Sequence, residues 1–279
     1  HVGSGQLEEF RRRVDIEQRG VQWSSYMSDN RNRMEDAAAS ILGDAEPEPA
    51  NEVTLVDWDP DGEIKMVAAM LYPYTHLSER QIEARVREMD NDERVDLVRA
   101  YAGDRKNRRH KPGRALERID YRFDVLSDYA GFRDLQRRRL LTIKWQGLSP
   151  EHGYDVPDTI EGAGLTDRYH AALERSASLY DAMAPVLPRQ APYAVAMAYR
   201  VRYAMQFNAR EAMHLIELRS QPQGHPNYRR VVQDMYRLIS EQAGHHAVAE
   251  MLTHVDMSDG EGGRLEAERR LDGRRTVGS

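Results

Sequence analysis

The chain has 279 residues, of which 40% are hydrophobic and 31% are charged, and its formal net charge is −6. This length and composition allow a buried core in one large domain or two small ones, and the negative charge disfavours a protein that mainly coats nucleic acid. The chain has no cysteine, which excludes disulfides, thiolate catalysis and cysteine-bound zinc. No apolar run approaches the roughly 20 residues of a membrane span and no signal peptide is recognisable, so a cytoplasmic location is expected.

The amino-terminal part is predicted to be a helical arm. Helical patterns over 6–42 end at Gly43, a residue type that is favoured just after a helix, and a proline-containing linker follows. We therefore divide the chain into an arm and linker over 1–50, a main domain over 51–256 and a polar, glycine-rich tail over 257–279 that is predicted to be mobile.

The main domain opens with mixed strand and helix patterns. Residues 52–58 have the composition of a strand, whereas 63–74 fit either a second strand or a short helix. The pair Ser78 and Gln81 resembles a capping box and predicts a helix that runs to about Ala102.

A half-buried strand is predicted over 118–125, because apolar residues alternate there with charged ones. The apolar positions are Ile119, Tyr121, Phe123 and Val125. After this strand, Ser127 is predicted to cap a helix that carries Arg137, Arg138 and Arg139 and ends before Gly147.

The carboxyl-terminal half is read as helix, extended segment and helix. Thr166 begins a helix that runs to about Ala184, and residues 194–207 are predicted to be extended. Asn208 and Glu211 form another capping pattern, followed by a long helix or a broken helix pair up to about residue 254. Together these patterns predict an α+β fold with a mixed sheet.

Three consecutive arginines, Arg137–Arg139, are the first candidate site. Successive residues of a helix turn by about 100°, so three guanidinium groups cannot share one solvent face. They could hold a phosphate or another anion, or they could form a solvated helix end that complements the macrodipole.

The segment that follows Asn208 is the second candidate site. Arg219 would lie on the same helix stripe as Asn208, and Arg210 and His214 form an i,i+4 pair. The structural alternatives are plain helix capping by Asn208 and surface ion pairing by the two arginines.

Two further patterns have weaker functional interpretations. His246, Glu250 and His254 recur every four residues and could bind a metal, but no HExxH motif is present and the wet side of a helix explains them, so no metal is expected. The basic segment 105–118 could bind nucleic acid, which the overall negative charge disfavours.

The motifs resemble those of the flavin-dependent thymidylate synthases. The family signature opens with an Arg-His-Arg triplet, which Arg137–Arg139 resemble with an arginine in the middle position. A later family segment is matched in order and spacing without a gap. Its residues here are Asn208, Arg210, His214, Leu215, Ile216 and Arg219.

The resemblance, which extends over about 52–250, implies a mixed sheet with helices and a homotetramer whose active sites lie between subunits. Its members bind FAD, reduce it with NADPH and transfer a methylene group from methylenetetrahydrofolate to dUMP, giving dTMP. No membrane partner is implied.

The resemblance also implies roles for individual residues. By position, the residues that resemble the cofactor-binding set are Arg137, Arg139, Asn208, Arg210 and His214. Arg219 resembles the arginine that holds and polarises the uracil of dUMP, a substrate-binding and catalytic role, and Glu117 resembles a glutamate on the substrate side.

The signature departs from the family pattern after the triplet. Lys144 and Trp145 replace an Asn-Glu pair, and Ser149 and Pro150 replace an Arg-Tyr pair, in a loop that grips the nucleotide phosphate in active members. The chain is therefore either an enzyme that acts on dUMP or a related pyrimidine nucleotide, or a non-catalytic homologue, such as half of a tandem protein.

Overall fold

The computed structural model describes residues 8–9, 20–258 and 269. The chain divides into two compact units, His1–Pro49 and Ala50–Ser279. In the first unit, helix α1, Val21–Leu42, ends directly before Gly43, which confirms the predicted end of the arm helix. The earlier part of that prediction, and most of the predicted tail, lie outside the described residues.

A four-stranded antiparallel sheet with the order β1-β2-β4-β3 forms the centre of the second unit. Its strands are β1 Val53–Trp58, β2 Asp120–Asp128, β3 Leu141–Trp145 and β4 Arg200–Asn208. The alternation in β2 is confirmed, since Tyr121, Phe123 and Val125 are buried and the residues between them face the other side.

Helices cover one face of this sheet. The helix bounds are α2 Gly62–Leu71, α3 Glu79–Arg87, α4 Asn91–Ala102, α5 Tyr129–Leu135, α6 Asp158–Gly162, α7 Thr166–Met183, α8 Ala209–Arg219, α9 Pro226–Glu241 and α10 His246–Met251. Short 3₁₀ turns cover Tyr72–Tyr74, Arg114–Arg118 and Ala191–Ala194. Phe123 stacks on Phe207 within the core, with ring centroids 5.5 Å apart. The predicted α+β class is confirmed, and 63–74 proves to be helix α2 with a 3₁₀ turn.

The prediction of a helix around the three arginines is wrong. Strand β2 runs through Ser127 to Asp128, and the Oδ1 atom of Asp128 accepts the helix-capping bond from the Gly131 amide at 2.8 Å. Helix α5 ends at Leu135, so Arg137–Arg139 lie in the loop before β3. Leu141 and Ile143 alternate with polar residues, which is the pattern of a strand. The sequence prediction extended the helix of the preceding arginines over this pattern.

The helix predicted from Ser78 to Ala102 is interrupted. The capping box of Ser78 and Gln81 is confirmed, but a second box, in which Asp90 caps the Glu93 amide, starts a new helix. The backbone of Asp90 is extended, so the helix does not continue from α3 into α4.

The carboxyl-terminal segment is likewise more broken than predicted. Between Asn208 and residue 258 there are three helices, α8, α9 and α10, because Pro226 begins the second one and Gly244, at φ +68°, precedes the third. The extended segment predicted over 194–207 forms a strand only from Arg200, and α7 lies where a helix was predicted. No helix of the described residues is long and apolar enough to cross a membrane.

Candidate functional site

The junction of β4 and α8 is where the candidate site begins. Strand β4 ends at Asn208, whose Oδ1 atom accepts a hydrogen bond from the Glu211 amide at 3.0 Å. This bond confirms that Asn208 caps α8. The second bond of a capping box, from the Asn208 amide to the Glu211 side chain, is not formed. The cap starts α8, which carries the other predicted residues of this segment.

Arg210 is the second residue of this helix, and its side chain contacts Glu117. Its Nη1 atom donates to the Glu117 Oε1 atom at 3.0 Å. Arg114 also donates to Glu117, at 2.8 Å, and this bond is the main reason why the pKa of Glu117 lies below its ordinary value. The structure thus brings together Glu117 and Arg210, two residues to which the family resemblance gives separate roles.

Arg219 ends α8 and connects it to the end of α5. Its Nη2 atom donates to the backbone oxygen of Asp134 at 2.5 Å, and its Nη1 atom lies 3.7 Å from the Asp134 carboxylate. The guanidinium also lies over the ring of Tyr228, 5.3 Å from the centroid. These contacts hold the Arg219 side chain in one place.

Of the three consecutive arginines, the middle one lies with α8. Arg138 is partly buried, and this burial, together with the charge of Arg219, holds the pKa of its guanidinium below the ordinary value. Arg137 is 63% exposed with its Nη1 atom 3.8 Å from Asp134, and Arg139 is also exposed. The triplet and α8 therefore converge, but through Arg138.

Four buried polar atoms in this region have no hydrogen-bond partner. They are the Nε atoms of Arg138, Arg210 and Arg219 and the Oε1 atom of Glu211. A buried donor or acceptor without a partner is costly, so such atoms need an explanation. We call Arg138, Arg210, Glu211, His214 and Arg219 the arginine cluster.

His214, the histidine of the arginine cluster, is neutral near pH 7. Burial and the nearby charges of Lys111, Arg138 and Arg108 lower the pKa of His214 to about 4. Burial raises the pKa of Glu211, against the effect of the surrounding cations. The cluster therefore combines guanidinium donors with an uncharged imidazole, a set that can bind an anion and hydrogen-bond a polar ring.

Sequence reasoning missed several members of this environment. In the sequence, Arg138 is a departure from the family triplet, and the spacing of Glu211 from Asn208 indicates only a capping residue. Lys111 and Arg108 belong to the basic segment 105–118, whose composition indicates only nucleic-acid binding. The available signal was that Leu215 follows Glu211 at i,i+4, which places Glu211 on the buried apolar face of α8.

Three arginines of the basic segment 105–118 are paired with carboxylates of the chain. Arg105 pairs with Glu217 at 2.6 Å, Arg114 pairs with Glu117, and Arg118 pairs with Glu79. Arginines that are paired within the chain are not free for phosphates, which adds to the charge argument against a nucleic-acid surface.

The alternative of a metal site at the carboxyl-terminal histidines finds no support. Helix α10 ends at Met251, so His254 does not stack on the helix face of His246. Glu250 pairs with Arg99 at 3.0 Å, and His254 Nε2 lies 3.2 Å from the Arg105 oxygen. Among the described residues no group of three His, Cys, Asp or Glu side chains is arranged to hold a metal.

A cavity of about 720 Å³ lies elsewhere, beside the amino end of α9. Two of its carboxylates already have partners: Asp128 accepts from Gly131 and Asn227, and Asp155 accepts from Arg200. We place the site at the arginine cluster because its buried donors lack such partners.

Comparison with protein families and curated proteins gives consistent matches. The family described as thymidylate synthase complementing protein matches residues 54–244. Relatives from Chlamydia pneumoniae and Chlamydia muridarum, both described as UPF0159 proteins, are 38% identical over 221 residues and 34% identical over 240 residues. These alignments include 79% and 86% of this chain but 41% and 45% of the relatives, so the chain spans less than half their length.

Two solved structures resemble the fold at low sequence identity. A UMP/dUMP methylase, PolB, from Streptomyces cacaoi is 18% identical, with a TM-score of 0.56 over 70% of this chain and 93% of that chain. Thymidylate synthase X from Helicobacter pylori, determined with FAD and dUMP, is 15% identical, with a TM-score of 0.53 over 73% of this chain and all of that chain.

Proposed function

Because the chain belongs to the thymidylate synthase complementing protein family, we propose that it binds FAD and a pyrimidine nucleotide at the arginine cluster. The proposed reaction is the reductive methylation of dUMP to dTMP, with methylenetetrahydrofolate and NADPH as co-substrates, in the cytoplasm. The observation that carries this proposal is the set of four buried polar atoms without partners in the cluster. An anionic, ring-containing ligand would supply acceptors to the three guanidinium groups.

The residues present fit a flavin nucleotide. Arg138, Arg210 and His214 would hold FAD, with Asn208 at the start of the same helix. Bound FAD would supply the transfer of hydride to the substrate. Buried guanidinium groups recognise phosphate bidentately, and a neutral imidazole can bond to the flavin ring.

Arg219 would hold the nucleotide base. Its contacts with Asp134 and Tyr228 fix the guanidinium before any ligand arrives. A fixed cation beside the carbonyls of the pyrimidine stabilises negative charge that develops when hydride attacks the ring, which is the role implied by the family resemblance. Glu117, which is held by Arg114 and Arg210, would complete the substrate side.

We further propose that the site is completed between copies of the chain in a homotetramer. Arg137 and Arg139 are exposed, so they are free to reach a ligand held by a neighbouring copy. This would reconcile their predicted contact with FAD and their position outside the cluster.

A non-catalytic role is the second candidate. Residues 141–145 form strand β3, in which Thr142 and Lys144 are exposed. This part of the signature is therefore paired with β4 as a strand of the sheet. The chain also spans less than half the length of its relatives, which would suit one half of a tandem protein. In that case the fold would bind ligand or support assembly without turnover.

Titration of the purified full chain with FAD, followed by an assay of dUMP-dependent NADPH oxidation, tests the proposal. We expect a flavin absorbance band that stays with the protein, and oxidation that requires both dUMP and methylenetetrahydrofolate. Flavin binding without turnover would favour the non-catalytic role. A colourless protein that gains no thermal stability from FAD would refute the flavin site, since a ligand at 100 times its Kd stabilises by about 2.7 kcal/mol.

A further inference from the structure

Glu211 is the most buried charged side chain of the arginine cluster, with 3% of its side chain exposed. Its Oε2 atom lies 3.5 Å from the Nδ1 atom of His214, and its Oε1 atom has no hydrogen-bond partner. Its backbone amide is held by Asn208, which fixes the residue in the first turn of α8. The carboxyl group is thus placed against His214 and away from solvent.

His214 uses one ring nitrogen within the chain and leaves the other accessible. Its Nδ1 atom faces Glu211, and no partner for its Nε2 atom occurs among the described residues. The side chain is 30% exposed, so a ligand can reach it. Because its pKa is about 4, the imidazole carries a single ring proton near pH 7.

The charges around Glu211 favour its ionised form. Arg138 faces it from the loop after α5, Lys111 from the loop before the 3₁₀ turn, and Arg210 from α8 itself. Burial opposes ionisation, and the three cations offset part of that cost. Burial is the largest of these effects and raises the pKa of Glu211. In its ionised form the carboxylate only accepts hydrogen bonds, so the ring proton of His214 would then lie on Nδ1 and the lone pair on Nε2.

We propose that Glu211 is a positioning residue that holds His214 through Nδ1, so that the neutral imidazole offers Nε2 as a hydrogen-bond acceptor to a ring N–H group of the ligand. This inference rests on the proposed flavin site. The oxidised flavin ring has one N–H group, the imide at N3, and a nucleotide base such as uracil carries the same type of imide. His214 therefore selects for an imide-bearing ring, and Glu211 sets that preference.

The tautomer of His214 is measured directly by nitrogen–proton NMR of the full chain labelled with ¹⁵N-histidine, without ligand. In the wild-type protein we expect the proton on Nδ1. Glu211→Met fills similar volume but accepts no bond, and should shift the population to the Nε2–H tautomer that free histidine prefers. Glu211→Gln keeps an accepting oxygen and should retain the wild-type tautomer. A proton on Nε2 in the wild-type protein overturns the proposal, whether or not any variant folds.

Binding of FAD and of its N3-methyl analogue tests the consequence. The wild-type protein and Glu211→Gln should bind FAD about tenfold more tightly than the analogue, because the methyl group removes one hydrogen bond. In Glu211→Met the preference should fall below about twofold. An undiminished preference in Glu211→Met would mean that the methyl group is rejected sterically, and would overturn the proposal.

The two proposals fail in different ways. If the wild-type protein binds FAD and the analogue equally well, the flavin site stands and the role of Glu211 is wrong. If it binds neither, the flavin site itself is wrong, and the inference about its N3–H group falls with it.

Discussion

Arg138, Arg210 and Arg219 each bury an Nε atom that has no partner within the described chain. A guanidinium in this state gains most from an anionic acceptor, because the cost of its burial is already present in the free protein. Among the residues that the structure describes, Arg138 differs from the other two in having no ion pair with a carboxylate, and its pKa is lowered by burial and by the charge of Arg219. It is therefore the residue whose substitution should report ligand binding most clearly.

We predict that Arg138→Ala weakens FAD binding by at least tenfold. The variant removes a partly buried cation that is proposed to bind the ligand, and a charged hydrogen bond contributes about 1.5–3 kcal/mol. The matched control is Arg85→Ala, which removes an arginine that is 79% exposed and forms an exposed ion pair with Glu88, the residue that follows α3. Fluorescence titration of FAD should show no change for the control, and equal affinities for both variants would contradict the assignment.

A second prediction at this scale concerns pH. The pKa of His214 is about 4 in the folded chain and 6.5 in the unfolded chain, so between these values the unfolded state binds more protons. Stability should therefore fall as pH decreases from 6.5 to 4. The raised pKa of Glu211 acts in the opposite direction, which makes a difference measurement necessary.

Urea unfolding of the wild-type protein and His214→Asn between pH 7 and pH 4 gives this difference. The variant should lose less stability on acidification, by about 1 kcal/mol, a value reduced from the full shift because the ring is partly exposed to solvent. His245, whose pKa is also lowered, is the same in both proteins and does not affect the difference. Identical pH profiles would show that His214 titrates normally.

Among the structural elements, the loop between α4 and the 3₁₀ turn at Arg114–Arg118 depends on one buried ion pair. The Nη1 and Nη2 atoms of Arg105 donate to the two carboxylate oxygens of Glu217, at 2.6 and 2.7 Å, and at most 2% of either side chain is exposed. Arg105 also donates to the Met251 oxygen at 2.6 Å. The pair thus ties the loop that carries Lys111 to α8 and to the end of α10.

We predict that Glu217→Leu destabilises the protein by about 3–5 kcal/mol, because it leaves the Arg105 guanidinium buried without its counter-ion. The double variant Arg105→Met with Glu217→Leu should recover much of this loss, since apolar side chains can replace a buried pair. Arg99→Ala is the control: it breaks an exposed pair with Glu250 and should cost less than about 1 kcal/mol. Urea unfolding measures all three.

The double variant also distinguishes an effect on stability from an effect on the position of the loop that carries Lys111. It lacks the tether that holds Lys111 near His214, so we expect its FAD affinity to fall even where its stability is restored. If stability returns and FAD binds as in the wild-type protein, the loop has no part in the site.

For the whole molecule, the proposed assembly makes binding depend on protein concentration. If exposed Arg137 and Arg139 complete the site of a neighbouring copy, FAD affinity should drop when dilution separates the copies. Light scattering should give four times the chain mass of 32.1 kDa at high concentration. A monomer that binds FAD with unchanged affinity would show that one chain completes the site alone.

Local patterns predicted those features that depend on neighbours in the chain. The alternation in β2, the capping box at Ser78, the Asn208 cap and the start of α7 at Thr166 were all readable, because each depends on contacts within a few residues. The family motif at 208–219 was likewise a matter of spacing along the chain.

Contacts between distant segments decided the rest. Strand β3 forms because residues 141–145 pair with β4, some 60 residues away, and this pairing overrides the helical reading of the arginines before it. No periodic pattern in the sequence shows which of the three consecutive arginines is turned inward. That depends on where Asp134 and Arg219, which are far apart in the chain, come into contact.

Taken alone, the amino-acid sequence determined the fold class, the caps at Ser78 and Asn208 and the motif residues of α8, since these follow from backbone geometry and side-chain type over short distances. Only the tertiary structure decided that Arg138 is the inward arginine, that Glu211 lies buried beside His214, and that Arg105 holds the basic loop on α8. The physical reason is that burial and charge depend on all the groups around a side chain, and most of those groups come from other parts of the chain.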